Sequence, residues 1–213
     1  MATYTTASFS ITGGEAQPMA PYIRLWEDRL RDGIDAVYGL VEVVSGPATT
    51  VSDIVWEALE EGLNAQRRLT TTRYLQSAIE SAQSTLSEYS VRGWRASAVL
   101  AALTGNEVYL AWAGPAVSWV VTSKQVYYPG YVTPGNPGGA LGEEGEVPIY
   151  VANEQIDDGD TIVIGWSQMP EVIEEEHVST IIKSGIDPAM RSLYRMAAQE
   201  SEFAMLMLQL AAA

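Results

Sequence analysis

The chain has 213 residues, 27 of them acidic and 12 basic, for a formal net charge of -15 and a pI near 4.3. That surface repels nucleic acid and anionic lipid, which excludes roles built on either. With no cysteine and one histidine, His177, there can be no disulfide, thiolate zinc site, iron–sulfur cluster, cysteine nucleophile or multi-histidine metal centre.

Tyr4–Ile11 alternates with threonine and serine and stops at Gly13-Gly14, the pattern of an edge strand. The proline-bearing stretch Gln17–Pro21 is irregular and leads to Ile23–Leu30; after the turn Asp32-Gly33, Ile34–Val44 is a β-rich run. Val51, Ile54, Val55, Ala58, Leu59, Gly62 and Leu63 recur at helical spacing and predict a helix with one buried stripe. Tyr74, Leu75, Ala78, Ile79, Ala82 and Leu86 predict a second. Beyond Gly93 the period changes. Ala96–Leu103, the tight turn Thr104-Gly105-Asn106 and Glu107–Ala113 predict a hairpin. Ser118–Val121 and Gln125–Tyr128 read as short strands, and Pro129–Pro148, rich in glycine, proline and acids, as a loop. Asp157-Asp158-Gly159-Asp160 is a polar turn before the apolar strand Thr161–Trp166. Glu171–Lys183 predicts a helix with acids at its positive end. Asp187-Pro188 predicts an N-cap and first helical residue for a helix buried along Ala189, Met190, Leu193, Tyr194, Ala197 and Ala198. Phe203–Leu210, apolar on both faces, predicts a buried strand.

Strands grouped apart from helix pairs indicate the α+β class. Two antiparallel sheets packed together, each covered outside by a helix pair, would bury every stripe: a four-layer α-β-β-α sandwich. A chain of this length buries roughly 70% of its unfolded surface, and no repeat or linker divides it, so one domain over residues 1–213 is expected. The N-terminus lacks a secretory pattern. Its longest apolar stretches, Ala96–Leu103 and Ala204–Ala213, fall short of the ~20 residues that span a bilayer. The expectation is a soluble, cytoplasmic protein. Leu210 and the alanines after it carry no cap or polar tail, so more protein is expected to follow in the natural gene.

Few residues suggest chemistry by themselves. His177 follows Glu174-Glu175-Glu176 and reads as an exposed helix residue beside acids, not as the base of a triad. The glycine loop at 130–145 has no Gly-Lys-Ser/Thr ending and is not a phosphate loop. Asp157, Asp158 and Asp160 lack the downstream bidentate glutamate of a calcium hand and read as a solvated turn. The tryptophans are scattered and read as core.

A collinear series of motifs carries more. Gly39-Leu40-Val41-Glu42-Val43-Val44-Ser45-Gly46 resembles the strand and Ala-Asp-Gly-Met-Gly-Gly segment of metal-dependent protein phosphatases of the PPM (protein phosphatase 2C) type. Arg95-Ala96-Ser97-Ala98 stands where that family has Gly-Thr-Thr, and Val108–Pro115 is similar to its strand ending in Gly-Asp. Ala140-Leu141-Gly142 matches its Leu-Gly. Gly159–Pro170 resembles its Gly-Asp, apolar strand and Ser-Asp-Gly-Leu. Ser201-Glu202-Phe203-Ala204 stands at its Asp-Asn, and Arg24-Leu25-Trp26-Glu27-Asp28 at its early Arg-x-Asn-Glu-Asp. The match covers nearly the whole chain in order, and the four-layer sandwich it implies is the layering deduced above.

The resemblance implies a site of two divalent metals, magnesium or manganese, held by aspartates and activating water against a phosphoserine or phosphothreonine. The ligand positions are altered. The metal-bridging aspartate aligns with Val43 (Val44 if the register slips by one), the Ser-Asp-Gly-Leu aspartate with Gln168, and the Gly-Asp aspartate with Pro115. Asp28 and Glu202 are the acids left at ligand positions. Two metals on two carboxylates would leave about two positive charges unbalanced in a partly buried site. The expectation is therefore a pseudophosphatase with no cofactor, acting as a protein-interaction or regulatory module. Its partner would be a protein, phosphorylated if Arg24 grips phosphate as the family's early arginine does. Nucleic acid and membrane are not expected partners. The alternative is an active phosphatase with magnesium or manganese in a rebuilt site using Asp28 and Glu202 with Asp160 or Glu42, which requires those carboxylates to converge. A third reading is a structural part of a longer polypeptide.

Overall fold

The computed structural model describes residues 4–17, 21–28, 30–65, 69–129 and 139–211. The alternating run near the N-terminus forms β1 (Tyr4–Thr12), followed by the short β2 (Glu15–Ala16), β3 (Ile23–Trp26) and β4 (Ala36–Ser45). The two striped segments are α1 (Ala48–Ala65) and α2 (Thr71–Ser87). The hairpin is β5 (Arg95–Thr104) and β6 (Glu107–Ala113); β7 (Val117–Val121), β8 (Val126–Tyr127), β9 (Tyr150–Gln155) and β10 (Thr161–Gly165) follow. Three helices, α3 (Met169–Val172), α4 (Glu175–Ile182) and α5 (Ile186–Ala197), precede the last strand, β11 (Glu202–Leu210).

The described strands make two antiparallel sheets, ordered β2-β1-β11-β10-β7-β8 and β3-β4-β5-β6-β9. Three apolar layers hold the sandwich. Val55, Leu59, Leu75 and Ile79 of α1 and α2 pack on the five-stranded sheet. Leu40, Val99, Ile162 and Leu206 fill the space between the sheets, and Trp119, Ile173, Leu193 and Met207 lie between the six-stranded sheet and α3–α5. The central strands therefore bury both faces, which is why Phe203–Leu210 shows no alternation. Where α1 crosses α2, a Cβ on Gly62 would lie 2.6 Å from the Cα of Ala78, so the stripe needs glycine there. The α+β sandwich expected from the sequence is the architecture found.

The details differ in four places. Ala198, expected in the buried stripe of the last helix, is exposed just beyond its end at Ala197. The helix predicted over Glu171–Lys183 is broken: Ile173 is extended (φ -126, ψ 108) and fully buried, and the kink is what lets its side chain reach the core. The final helix begins one residue before Asp187, with Gly185 (φ 96) at its N-cap, so Asp187 sits inside the first turn instead of capping it. Strand β9 was not foreseen. It is an edge strand paired only with β6, and Ala152 is its one buried residue, so it carries too little apolar pattern to announce itself. Much of the predicted 129–148 loop and part of Gln17–Pro21 lie outside the described residues. No helix among the described residues is long and apolar enough to cross a membrane.

Candidate functional site

Several strand ends meet at one end of the sandwich. Strand β4 finishes there with a register shift between Val43 and Ser45, and Gly46 (φ 113) turns the chain into α1. A Cβ on Gly46 would lie 2.8 Å from the Trp94 ring and 2.9 Å from Val51, so only glycine fits the turn. Strand β10 runs out into Trp166-Ser167-Gln168, and β11 starts at Glu202. Between them opens a cleft of about 510 Å³ whose walls include Glu42, Val43, Val44, Ser167, Gln168 and Glu202, with Tyr22 and Trp166 also lining it.

The cleft is tied together across the two sheets. The Trp166 indole N–H donates to the carbonyl of Val41 at 3.1 Å. The Ser167 amide donates to Glu42 Oε2 at 3.0 Å, and its hydroxyl donates to Glu42 Oε1 at 2.5 Å. Glu202 accepts from the Gly13 amide at 3.0 Å and from the Tyr22 hydroxyl at 3.3 Å. Tyr22 and Trp166 meet edge to face, ring centroids 4.8 Å apart.

Glu42 is 5% exposed. Burial raises its pKa, and the Ser167 hydrogen bonds pull it partly back. Burial, then the Glu202 charge, also raises the Tyr22 phenol. Neither carboxylate has an ion-pair partner among the described residues. The side-chain oxygen of Gln168 is buried and accepts no hydrogen bond.

The structure thus brings together five positions singled out in the sequence: Glu42, Val43, Val44, Gln168 and Glu202. It leaves the others elsewhere. Pro115 lies in the turn between β6 and β7. Asp28 is exposed beyond the end of β3. Arg24, on β3, lies over the Trp56 ring at 5.1 Å and 3.9 Å from Glu60, outside the cleft lining. Asp160 stands at the opposite end of β10 from the cleft, where its carboxylate accepts from the Asp157 amide at 3.1 Å. His177 is exposed, its Nδ1 3.0 Å from Glu174. Tyr22, Trp166 and Ser167 are the parts of the site that sequence reasoning missed. The available signal was Glu42, a lone acid in a run otherwise buried on both faces.

Among the described residues, no three His, Cys, Asp or Glu side chains come together as a metal-holding group. The cleft offers Glu42 and Glu202, both already accepting hydrogen bonds, beside an isopropyl group. Two hard dications need more anionic oxygen than that, so these residues do not fit a binuclear centre.

No protein-family model and no curated protein sequence matches the chain. Solved structures do. The chain is similar to a variant of a bacterial serine phosphatase, with TM-score 0.78, 13% identity and 100% of both chains covered. It is similar to the serine/threonine phosphatase PstP/Ppp of Mycobacterium tuberculosis, with TM-score 0.74, 13% identity and 100% of both chains covered. With Stp1, a serine/threonine phosphatase of Staphylococcus aureus, the TM-score is 0.77 at 14% identity, over 99% of this chain and 96% of that one. The catalytic domain of PstP has been solved in complex with 2 manganese ions. At such identities the likeness is one of backbone architecture: this chain has the fold of the bacterial serine/threonine phosphatases of the protein phosphatase 2C type.

Proposed function

We propose that the chain is a pseudophosphatase, a phosphatase fold that binds a protein partner without hydrolysing phosphate. The observation that carries this reading is the content of the cleft. Where the motif resemblance puts metal-bridging and metal-binding aspartates stand Val43 and Gln168, and both line the cleft. The carboxylates beside them serve other ends: Glu42 clamps Ser167 across the sheets and Glu202 holds Gly13 and Tyr22. A hydrogen-bonded clamp thus joins the strand ends. The alternative of a rebuilt metal site needs Asp28 to join Glu202 with Asp160 or Glu42, and neither Asp28 nor Asp160 lines the cleft.

The test is a manganese titration by calorimetry, followed by an assay of aryl phosphate hydrolysis. The wild-type chain is expected to bind no manganese at micromolar concentration and to release no phosphate. The double variant Val43→Asp with Gln168→Asp is expected to gain measurable metal affinity. Micromolar binding and turnover by the wild type would refute the reading.

A further inference from the structure

The geometry points to a ligand of the opposite charge to phosphate: the cleft is a receptor for an arginine side chain presented by a partner protein. This rests on the pseudophosphatase reading, because it needs the cleft free of metal. Glu42 is a carboxylate 5% exposed whose recorded partners, the Ser167 amide and hydroxyl, are both neutral. Among the described residues, Glu202 likewise receives only neutral donors. None of the cleft-lining residues among those described is basic, and the chain as a whole carries -15. A phosphate entering here would meet two uncompensated carboxylates in a partly desolvated site, whereas a cation would be drawn in.

The remaining unsatisfied group on the wall selects the kind of cation. Gln168, which lines the cleft, keeps a buried oxygen with no donor, and the two carboxylates have lone pairs beyond the neutral hydrogen bonds they already accept. A guanidinium offers five N–H donors in a rigid plane and is more weakly hydrated than an ammonium, so it loses less on entering. The walls also suit a side chain still attached to a polypeptide. Val43 and the 46% exposed Val44 offer apolar surface to the arginine stem and to the backbone that carries it.

The test is an amide NMR titration of the whole chain in about 150 mM salt, which screens unspecific attraction to its surface. The probe is a blocked pentapeptide, Gly-Gly-Arg-Gly-Gly, with counterparts bearing citrulline, lysine or phosphoserine in place of arginine. The arginine peptide is expected to move the Ser167 amide and Trp166 indole signals in saturable fashion, and the citrulline peptide to bind at least about tenfold more weakly. Val44→Lys, at an exposed rim position, is expected to abolish the shifts while leaving the melting temperature unchanged. Glu202→Gln is expected to weaken binding about tenfold. Citrulline binding as tightly as arginine, a phosphoserine peptide moving the same signals, or no shift at millimolar arginine peptide would each overturn the proposal. Equal binding of the lysine peptide would overturn the guanidinium assignment. The two levels fail separately: manganese binding with phosphate release defeats the pseudophosphatase reading, while a catalytically silent chain that ignores the arginine peptide defeats only this inference.

Discussion

Two polar corners are buried in this sandwich, and they are finished differently. At the turn between β6 and β7, Ser97 is fully buried; its hydroxyl donates to the Ala113 carbonyl at 2.8 Å and accepts from the Ala116 amide at 3.0 Å. Donor and acceptor are both matched. At the cleft, buried Glu42 has no basic partner among the described residues and Gln168 keeps an oxygen without a donor. Each buried polar group left open costs about 1–3 kcal/mol. The Gln168 oxygen differs from other open ones, such as Ser10 Oγ and Trp119 Nε1, in belonging to a residue that lines the cleft.

The sharpest way to break the comparison is at the closed corner. Gly114 has φ +89, and a Cβ there would lie 2.7 Å from the Cβ and 2.9 Å from the Cα of Ser97. Gly114→Ala combines backbone strain with overpacking against main chain, and a loss of about 3 kcal/mol is expected in urea unfolding. Ser97→Ala comes next. It strips partners from the Ala116 amide and the Ala113 carbonyl without adding bulk, and about 2 kcal/mol should be lost. If Ser97→Ala were neutral, the corner would not be closed in the sense argued.

At the open corner the expected effects are smaller and depend on pH. Glu42→Gln keeps an acceptor for the Ser167 amide and removes the buried charge, so stability at neutral pH should stay within about 1 kcal/mol of wild type. Burial raises the folded-state pKa of Glu42 above the usual 4.5. Its contribution to stability is therefore fully present below the unfolded value and is lost as pH rises through the raised one. Relative to Glu42→Gln, the wild type should gain stability as pH falls through the raised value, and the difference should level off below about 4.5. Paired urea titrations across that range measure it; a wild type that loses ground on acidification would mean that Glu42 is stabilised as a carboxylate by a cation.

The layering was legible in the sequence because helical stripes such as Val51–Leu63 and apolar strands such as Thr161–Trp166 follow from burial alone. The cleft was legible in part. Val43, Gln168 and Glu202 were found through motif order, although they stand 34 or more residues apart along the chain. Tyr22 was missed because its role comes from reaching Glu202 across 180 positions, which no local pattern encodes. Asp28 and Arg24 were grouped with the site by spacing, but Arg24 belongs to a strand whose neighbour on the helix side is Trp56. Glu42 was legible as a candidate ligand and not as a clamp, since its partner Ser167 follows a strand of the other sheet.

The mildest substitution separates the two corners most cleanly. Gln168 sits at the N-cap of α3 but makes no side-chain capping bond, and its buried oxygen has no partner. Its backbone carbonyl, which accepts from Glu171 at 2.9 Å and Val172 at 3.1 Å, is unaffected by a change of side chain. Gln168→Leu therefore removes an unsatisfied group and no native hydrogen bond from that oxygen. Stability should hold or rise by up to about 1 kcal/mol, the reverse of Ser97→Ala. The same variant should bind the arginine peptide more weakly, because the acceptor that has no use in the fold has one in the complex. A protein made more stable and less adhesive by one apolar side chain would place Gln168 among the groups kept for binding; a variant destabilised as much as Ser97→Ala would show instead that the oxygen is engaged in the fold after all.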